Sequence, residues 1–299
     1  MKRREFVVGS AAAVGSLAVL HGAGKLWAQG SDRAKLDRIA IMSRCFNPVL
    51  KSAAHPDDAK RTLEILDVPG MIAERYGVHH VEFQHTDFAS TEPEYLAEFK
   101  SRMQKAKSQM NQINLEFREL NVSSPDAVLR TEAIDLSKRW VDHAVVLGCR
   151  RVMVNAGALQ PEVRPAAVEA LKAIERYAKS KNIFITLENK DDGPSANPRA
   201  PWEVIVEVIK AAGLWANPDV GNFPNEQARA AGLRAMYPLT SGSSHCHFNP
   251  AQYSEADAIR ISKEAGYKGL FSIEAEASVN GPDPYVSVQT ILDELLRDI

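Results

Sequence analysis

The strongest constraint on the fold is a strict alternation between short apolar segments of strand length and longer segments with helical periodicity. Eight such strand–helix pairs follow one another from residue 37 to the end of the chain. This order is typical of a parallel sheet with helices on its outside, and eight repeats of it predict an α/β fold of the (β/α)8 TIM barrel type. Because no change of composition marks a second domain, we expect a single barrel domain over residues 37–299.

The predicted strands and helix ends fix the order of this barrel. The strands are predicted at residues 39–42, 78–83, 113–120, 151–154, 183–190, 214–222, 243–248 and 270–276. Gly148 and Gly213 each follow a helical segment, in the position where glycine commonly ends a helix. The three cysteines are few and far apart, so we expect no disulfide framework.

The first 30 residues have the pattern of an export signal rather than of a folded segment. Paired arginines at Arg3 and Arg4 precede Phe6 and a weakly apolar stretch rich in alanine and glycine. This pattern resembles a twin-arginine signal peptide, so we expect residues 1–30 to direct an exported or periplasmic protein. That route carries folded proteins, so a metal could be loaded before export. After this segment the sequence has no apolar stretch of membrane-spanning length.

The overall charge argues against a polyanionic partner. The chain has 36 lysines and arginines against 38 aspartates and glutamates, which gives a formal net charge of −2. A slightly acidic chain is a poor binder of nucleic acid, so we expect none as a partner. The sequence also has no glycine-rich phosphate loop of the GxxxxGK type. A homo-oligomer is compatible with the sequence.

Four of the predicted strands end in residue types that bind metals. Glu188, Asp219, His247 and Glu274 follow one another at about the length of one strand–helix unit, at the ends of strands five to eight. A parallel barrel brings these ends to one rim, where three carboxylates repel one another unless a cation neutralises them. We therefore predict that these four residues bind one divalent metal ion. An oxygen-rich site favours Mn²⁺ or Mg²⁺, with Zn²⁺ or Co²⁺ as alternatives.

Each of these residues also has a simpler explanation when it is taken alone. A glutamate near a strand end is often the partner of a lysine or arginine. Asp219 lies between Pro218 and Gly221, so the chemistry of a turn explains it equally well. His245 or His247 alone is more often a hydrogen-bonded core histidine. The prediction of a metal therefore depends on the four residues occurring together.

At this point the chain resembles a known family. The motifs are LEN at residues 187–189, DVGN at 219–222, HCHF at 245–248 and IEAE at 273–276. They are similar to those of the xylose isomerase-like TIM barrel family of sugar phosphate isomerases and epimerases, over residues 38–297. The resemblance implies that Glu188, Asp219, His247 and Glu274 hold the metal. In that family the second histidine of the pair is the usual ligand, so His245 would be an inner residue of the barrel.

Departures from the family pattern narrow the function. Asn222 stands where endonuclease members carry a histidine, which argues against DNA repair. Tyr253 and Pro194 stand where ketose 3-epimerases carry an arginine and a glutamate, so a 3-epimerase of free ketohexoses is not supported. Lys190 follows the LEN motif, where many relatives have a histidine. Its ammonium could hold a carboxylate or a substrate oxygen, or face the solvent.

The predicted function is that of a divalent-metal-dependent isomerase or epimerase that acts on a sugar or keto-sugar. Glu188 and Glu274 would remove and return the proton next to a carbonyl, through an enediolate. The alternatives are an inosose or keto-sugar dehydratase, a lyase that uses the same site, and a metal-stabilised sugar-binding barrel without turnover. Candidate substrate contacts near strand ends are His85, Asn155, Lys190 and Asn249, and an inner ion pair is predicted between Arg44 and Glu82.

Overall fold

The predicted barrel is confirmed by a computed structural model, which describes residues 30–51, 57–117, 120–190, 200–247, 254–275 and 281–299. Eight parallel strands are present in this part of the chain and form one sheet in the order β6-β5-β4-β3-β2-β1-β8-β7. They are β1 Ile39–Met42, β2 His80–Gln84, β3 Gln109–Leu115, β4 Arg151–Val154, β5 Phe184–Glu188, β6 Trp215–Asn217, β7 Ser243–His247 and β8 Leu270–Glu274. Because β1 pairs with both β2 and β8, the sheet curls into a nearly closed barrel.

Helices connect the strands and cover the outside of the barrel. They are α1 Gly30–Leu36, α2 Val68–Tyr76, α3 Pro93–Lys105, α4 Ala127–Leu147, α5 Arg164–Ser180, α6 Trp202–Ala212, α7 Glu226–Met236, α8 Glu255–Glu264 and α9 Pro284–Asp298. The predicted helix ends at Gly148 and Gly213 are confirmed: both residues have left-handed backbones, with φ of 76° and 75°. Glycine adopts this conformation without the steric cost that a side chain would add.

The two faces of the sheet differ in chemistry. In β5, Ile185 and Leu187 are fully buried in the apolar core that the strands share with the helices. The alternate residue Thr186 points the other way and donates a hydrogen bond to Gln112 inside the barrel. Burying a side chain the size of leucine contributes roughly 2 kcal/mol to the free energy of unfolding, so this apolar layer stabilises the fold. The polar interior supports the site at the rim.

The two strands at the ends of the sheet order, β6 and β7, share the least backbone pairing. In the part of the chain that the structure describes, these strands are joined by isolated bridges, one of which pairs Asp219 with His245. The backbone N–H of His245 donates to Pro218 O at 2.8 Å, and that of Val220 donates to His245 O at 3.1 Å. Through this short pairing, Asp219, which follows the end of β6, lies beside β7.

The predicted third strand is displaced along the chain. The sequence predicts a strand over residues 113–120, whereas β3 runs over Gln109–Leu115. Its first half is polar, and an apolar pattern does not reveal it. Asn111 and Gln112 are nevertheless buried, because their amides donate to Glu82 in the barrel interior. The correct end of β3 places Glu116 immediately after it, at the rim.

The predicted signal peptide lies outside the described residues, apart from Gly30 at the start of α1. Within the described ranges, no helix combines the length and the apolar character needed to cross a membrane.

Candidate active site

A compact group of ligand-type side chains lies where β5, β6, β7 and β8 end. Glu188, Asp219, His245 and Glu274 each offer one ligand atom, and these atoms lie within 4.8 Å of one another. All four residues are buried. Glu188 and Glu274 are the last residues of their strands, so the barrel itself fixes their positions. The three carboxylates predicted to converge on one rim therefore lie together.

The turn after β6 fixes the Asp219 carboxylate before any ligand binds. Its backbone N–H donates to Asn189 Oδ1 at 2.8 Å, which ties the turn to β5. Its Oδ1 accepts from Gly221 N at 2.8 Å, and its Oδ2 accepts from Asn222 Nδ2 at 2.9 Å. A Cβ added at Gly221 would lie 2.2 Å from the Cβ of His247, so only glycine lets the turn approach β7 this closely. The DVGN motif thus holds the carboxylate next to a histidine.

His245 joins the interior of the barrel to the rim. Its Nε2 lies 2.7 Å from Glu82 Oε1, and its Nδ1 lies 2.5 Å from Glu188 Oε1 and 3.2 Å from Glu274 Oε2. Burial would lower the pKa of His245, but the carboxylates of Glu82 and Glu188 raise it well above its ordinary value. The imidazole therefore acts as a cation held between carboxylates.

His247, the histidine predicted as the ligand, lies next to this group but is not one of the four residues whose ligand atoms are within 4.8 Å of one another. Its Nδ1 is 2.9 Å from Asp219 Oδ2, and its Nε2 is 3.9 Å from Glu274 Oε1. Its side chain is 16% exposed, whereas that of His245 is 1% exposed. The Asp219 carboxylate overcomes the effect of burial and raises the pKa of His247 to about 9. Sequence reasoning placed the two histidines on one face, and the structure places both against the carboxylates.

The carboxylates are ionised to different degrees because their neighbours differ. Burial would raise the pKa of Glu188, but Lys190 and His245 hold it far below its ordinary value. The hydrogen bond from His245 outweighs burial in the same way and lowers the pKa of Glu274. For Asp219 burial prevails over His247 and raises the pKa. The neighbouring cations thus favour the ionised forms of Glu188 and Glu274.

The predicted ion pair between Arg44 and Glu82 is wrong. Arg44 Nη1 lies 3.1 Å from Glu274 Oε1, at the rim. Glu82 is fully buried below, where both of its oxygens accept hydrogen bonds, including those from Asn114 and Ser272. Arg44 lies in the turn after β1, and the Glu82 carboxylate is instead bound by side chains inside the barrel.

Three of the four candidate substrate contacts meet at a residue that sequence reasoning missed, Glu116. Lys190 Nζ contacts Glu116 Oε1, and Asn155 Nδ2 donates to Glu116 Oε2 at 2.8 Å. The backbone N–H of Glu116 donates to His85 Nδ1 at 3.2 Å. The fourth candidate, Asn249, lies outside the described residues. An acidic residue directly after a strand could have been recognised as a candidate site residue. The predicted strand ran to residue 120, however, so Glu116 was assigned to its interior.

The donor set fits a divalent cation. Carboxylate oxygens with one imidazole are typical ligands of Mn²⁺ and Mg²⁺, and they also suit Zn²⁺. Glu188 Oε2 is buried and has no hydrogen-bond partner within the described structure. The ammonium of Lys190 lies 3.1 Å from this oxygen and forms an ion pair with it. A buried carboxylate oxygen without a hydrogen-bond donor is costly unless a positive charge lies close to it. The cluster could therefore hold a metal ion through its carboxylates.

Comparisons with known proteins identify the family. The family model described as the xylose isomerase-like TIM barrel matches residues 71–295. No curated protein matches the chain. Among solved structures, D-psicose 3-epimerase from Clostridium cellulolyticum H10, crystallised with D-tagatose, aligns with a TM-score of 0.70 at 12% identity, covering 87% of this chain and 99% of its own.

Two further solved structures share this fold. An L-ribulose 3-epimerase aligns with a TM-score of 0.69 at 17% identity, covering 87% of this chain and 94% of its own. The 3-keto-D-glucoside 4-epimerase of E. coli aligns with a TM-score of 0.61 at 12% identity, covering 88% and 99%. Identities this low establish a common fold, and the family match extends over well over half of the sequence. The chain therefore belongs to the xylose isomerase-like TIM barrel family.

Proposed function

We propose that the protein is a divalent-metal-dependent isomerase or epimerase that acts on a sugar or keto-sugar. The observation that carries this proposal is the convergence of the Glu188, Asp219 and Glu274 carboxylates, which lie with His245 in a buried group whose ligand atoms are within 4.8 Å of one another. Active sites of TIM barrels form at the carboxyl ends of the strands. The structural neighbours with the same fold include sugar epimerases, which supports a sugar as the substrate.

In this proposal Glu188, Asp219, His247 and Glu274 hold the metal, with Mn²⁺ or Mg²⁺ favoured. Support for His247 comes from its partial exposure and from its position between Asp219 and Glu274. His245 is buried, and both of its nitrogens are engaged by carboxylates, so it serves as an internal tether. A divalent cation bound there supplies Lewis acidity, which polarises a carbonyl and makes the adjacent C–H more acidic.

The reaction then depends on two carboxylates that stay ionised. Lys190 and His245 keep the pKa of Glu188 low, and His245 does the same for Glu274. One of these groups takes the proton from the carbon next to the carbonyl, which gives an enediolate, and the other returns a proton. Return to the neighbouring carbon gives isomerisation, and return to the opposite face of the same carbon gives epimerisation.

The test combines metal analysis with isotope exchange. Purified protein is analysed for bound metal and is then given a panel of sugars and keto-sugars in D₂O, before and after exhaustive chelation. We expect a divalent ion, and a substrate that gains deuterium next to its carbonyl only when the metal is present. A dehydrated product would indicate the lyase alternative, and binding without exchange would indicate a sugar-binding barrel. Turnover that survives chelation would refute metal dependence.

We also propose that the protein is exported through the twin-arginine route. The support is the pair Arg3 and Arg4 ahead of an apolar stretch that starts at Phe6. Replacing both arginines by lysine keeps the charge but removes the recognised pair, so the protein should stay in the cytoplasm. Cell fractionation of wild type and variant measures this, and equal export of both would refute the proposal.

A further inference from the structure

Beside the metal-binding group lies a second polar cluster, formed by Glu116, Lys190, Asn155 and His85. Glu116 is held from two strands: Lys190, which follows β5, contacts its Oε1, and Asn155, which follows β4, donates to its Oε2 at 2.8 Å. Its backbone N–H is fixed by His85, which follows β2, at 3.2 Å. A carboxylate fixed in this way presents its oxygens in one orientation.

This cluster is directly connected to the candidate catalytic group. Lys190 Nζ, which contacts Glu116 Oε1, also lies 3.1 Å from Glu188 Oε2. Two oxygens that share one ammonium are separated by no more than about 6 Å, which is within the length of a pentose or hexose. A substrate with its reacting carbon at Glu188 therefore places another of its hydroxyl groups within reach of Glu116.

The Glu116 carboxylate can accept further hydrogen bonds from donor groups of a ligand. A carboxylate has about four acceptor positions, and Lys190 and Asn155 occupy one on each oxygen. Its side chain is 31% exposed, compared with 4% for Glu188, so a ligand can approach the oxygens that remain. A partly exposed ion pair contributes little to stability, which makes a purely structural role a weak explanation.

The charges of the cluster select the kind of ligand. Lys190 lies between two carboxylates, Glu116 and Glu188, so its positive charge is already more than balanced. The other cation at the rim, Arg44, is engaged by Glu274 in the same way. A phosphate or carboxylate on the substrate would be repelled by the Glu116 carboxylate at this position, whereas a hydroxyl group could donate a hydrogen bond to it.

We propose that Glu116, with Lys190 and Asn155, forms a substrate subsite that binds an uncharged hydroxyl group, so that the enzyme takes neutral sugars or keto-sugars in preference to sugar phosphates or sugar acids. This inference rests on the proposed function and adds to it the class of substrate and a specificity-determining residue, Glu116.

The experiment measures binding rather than turnover. Calorimetry of the Mn²⁺-loaded protein compares two matched pairs: D-tagatose with D-tagatose 6-phosphate, and 3-keto-D-glucose with 3-keto-D-glucose 6-phosphate. We expect the neutral member of at least one pair to bind at least about tenfold more tightly. Glu116→Gln should weaken binding of that neutral sugar by about tenfold and reduce the discrimination, since one charged acceptor is lost.

Two further variants control for folding and for general charge effects. Glu116→Asp keeps the charge with a shorter reach, and should keep the discrimination while losing part of the affinity. Glu132→Gln makes the same chemical change as Glu116→Gln on the exposed face of α4, and should leave binding unchanged. Equal or tighter binding of the phosphorylated members, or unchanged binding in Glu116→Gln, would overturn the subsite while leaving the proposed function intact. Failure of all four sugars to bind would contradict the proposed function itself, and the subsite with it.

Discussion

Glu82 Oε1 lies 2.7 Å from His245 Nε2 inside the barrel, and the opposite nitrogen of the same imidazole lies 2.5 Å from Glu188 Oε1. One side chain thus connects a fully buried carboxylate to a rim carboxylate. Glu82 is anchored in turn by hydrogen bonds from Asn114 at 2.7 Å and Ser272 at 2.8 Å. The geometry of the rim therefore depends on residues that no ligand would touch.

Glu82→Gln should destabilise the protein strongly. The change leaves the His245 imidazolium without its interior carboxylate, and breaking a buried charge pair from one side costs about 3 kcal/mol or more. Urea unfolding at neutral pH measures the loss, with the exposed Glu132→Gln as the matched control. A free energy of unfolding within about 0.5 kcal/mol of wild type would show that the pair contributes little to the fold.

Substitution of the two histidines should have different effects. His247→Ala should lower Mn²⁺ affinity by about a hundredfold, as expected for loss of a ligand, while the fold survives because the side chain is partly exposed. His245→Ala should mainly lower stability, because it empties a buried position between Glu82 and Glu188. Calorimetric metal titration and urea unfolding of both variants measure these effects. If His245→Ala abolished metal binding and His247→Ala did not, His245 would be the ligand.

Gly221→Ala should disturb the site through backbone crowding alone. The new Cβ would lie 2.2 Å from the Cβ of His247, so either the turn or the histidine has to move. We expect a loss of about 1–3 kcal/mol in stability and weaker metal binding.

The matched control for this variant is Gly70→Ala, in α2. A Cβ there meets nothing within 4 Å, so the change should be neutral or slightly stabilising, as expected for alanine in a helix. Thermal unfolding and Mn²⁺ titration of both variants test the difference. Equal behaviour of the two would mean that the turn after β6 adapts without cost.

The fold and the carboxylate set could be predicted from sequence because both follow from local periodicity. Apolar runs mark buried strands, and an acidic residue at the end of such a run, as at Glu188 and Glu274, is placed by the strand itself. Asp219 was predictable because the next strand–helix unit must end at the same rim. These inferences need only the spacing along the chain.

The remaining features depend on contacts between distant strands. The polar half of β3 could not be recognised, because Asn111 and Gln112 are buried only by virtue of Glu82 on the neighbouring strand. Strand alternation places His245 and His247 on one face, so it cannot separate a ligand from a tether. Glu116 was missed because its position depends on where β3 ends.

The buried Glu255, the first residue of α8, should make stability depend on pH. It is 7% exposed, and within the described structure neither carboxylate oxygen has a hydrogen-bond partner. Burial raises the pKa of this carboxyl to about 7 from its ordinary value of 4.5, although the Cys246 thiol beside it acts in the opposite direction. Because the folded pKa is the higher one, the folded state keeps a proton that the unfolded chain releases. Stability is therefore unaffected below about pH 4.5, and falls as the pH rises from there to about 7.

Glu255→Gln removes this ionisation and should flatten the profile. Wild type should lose about 3 kcal/mol of unfolding free energy between about pH 4.5 and pH 8 through this group, since one pKa unit corresponds to about 1.4 kcal/mol. The variant should lie within about 0.5 kcal/mol of wild type near pH 4.5 and exceed it by about 3 kcal/mol near pH 8. Urea unfolding across this range measures both profiles, with Glu132→Gln expected to follow wild type throughout. Parallel profiles for wild type and Glu255→Gln would mean that the carboxylate gains a partner or water when it ionises, and that the helix start opens to admit it.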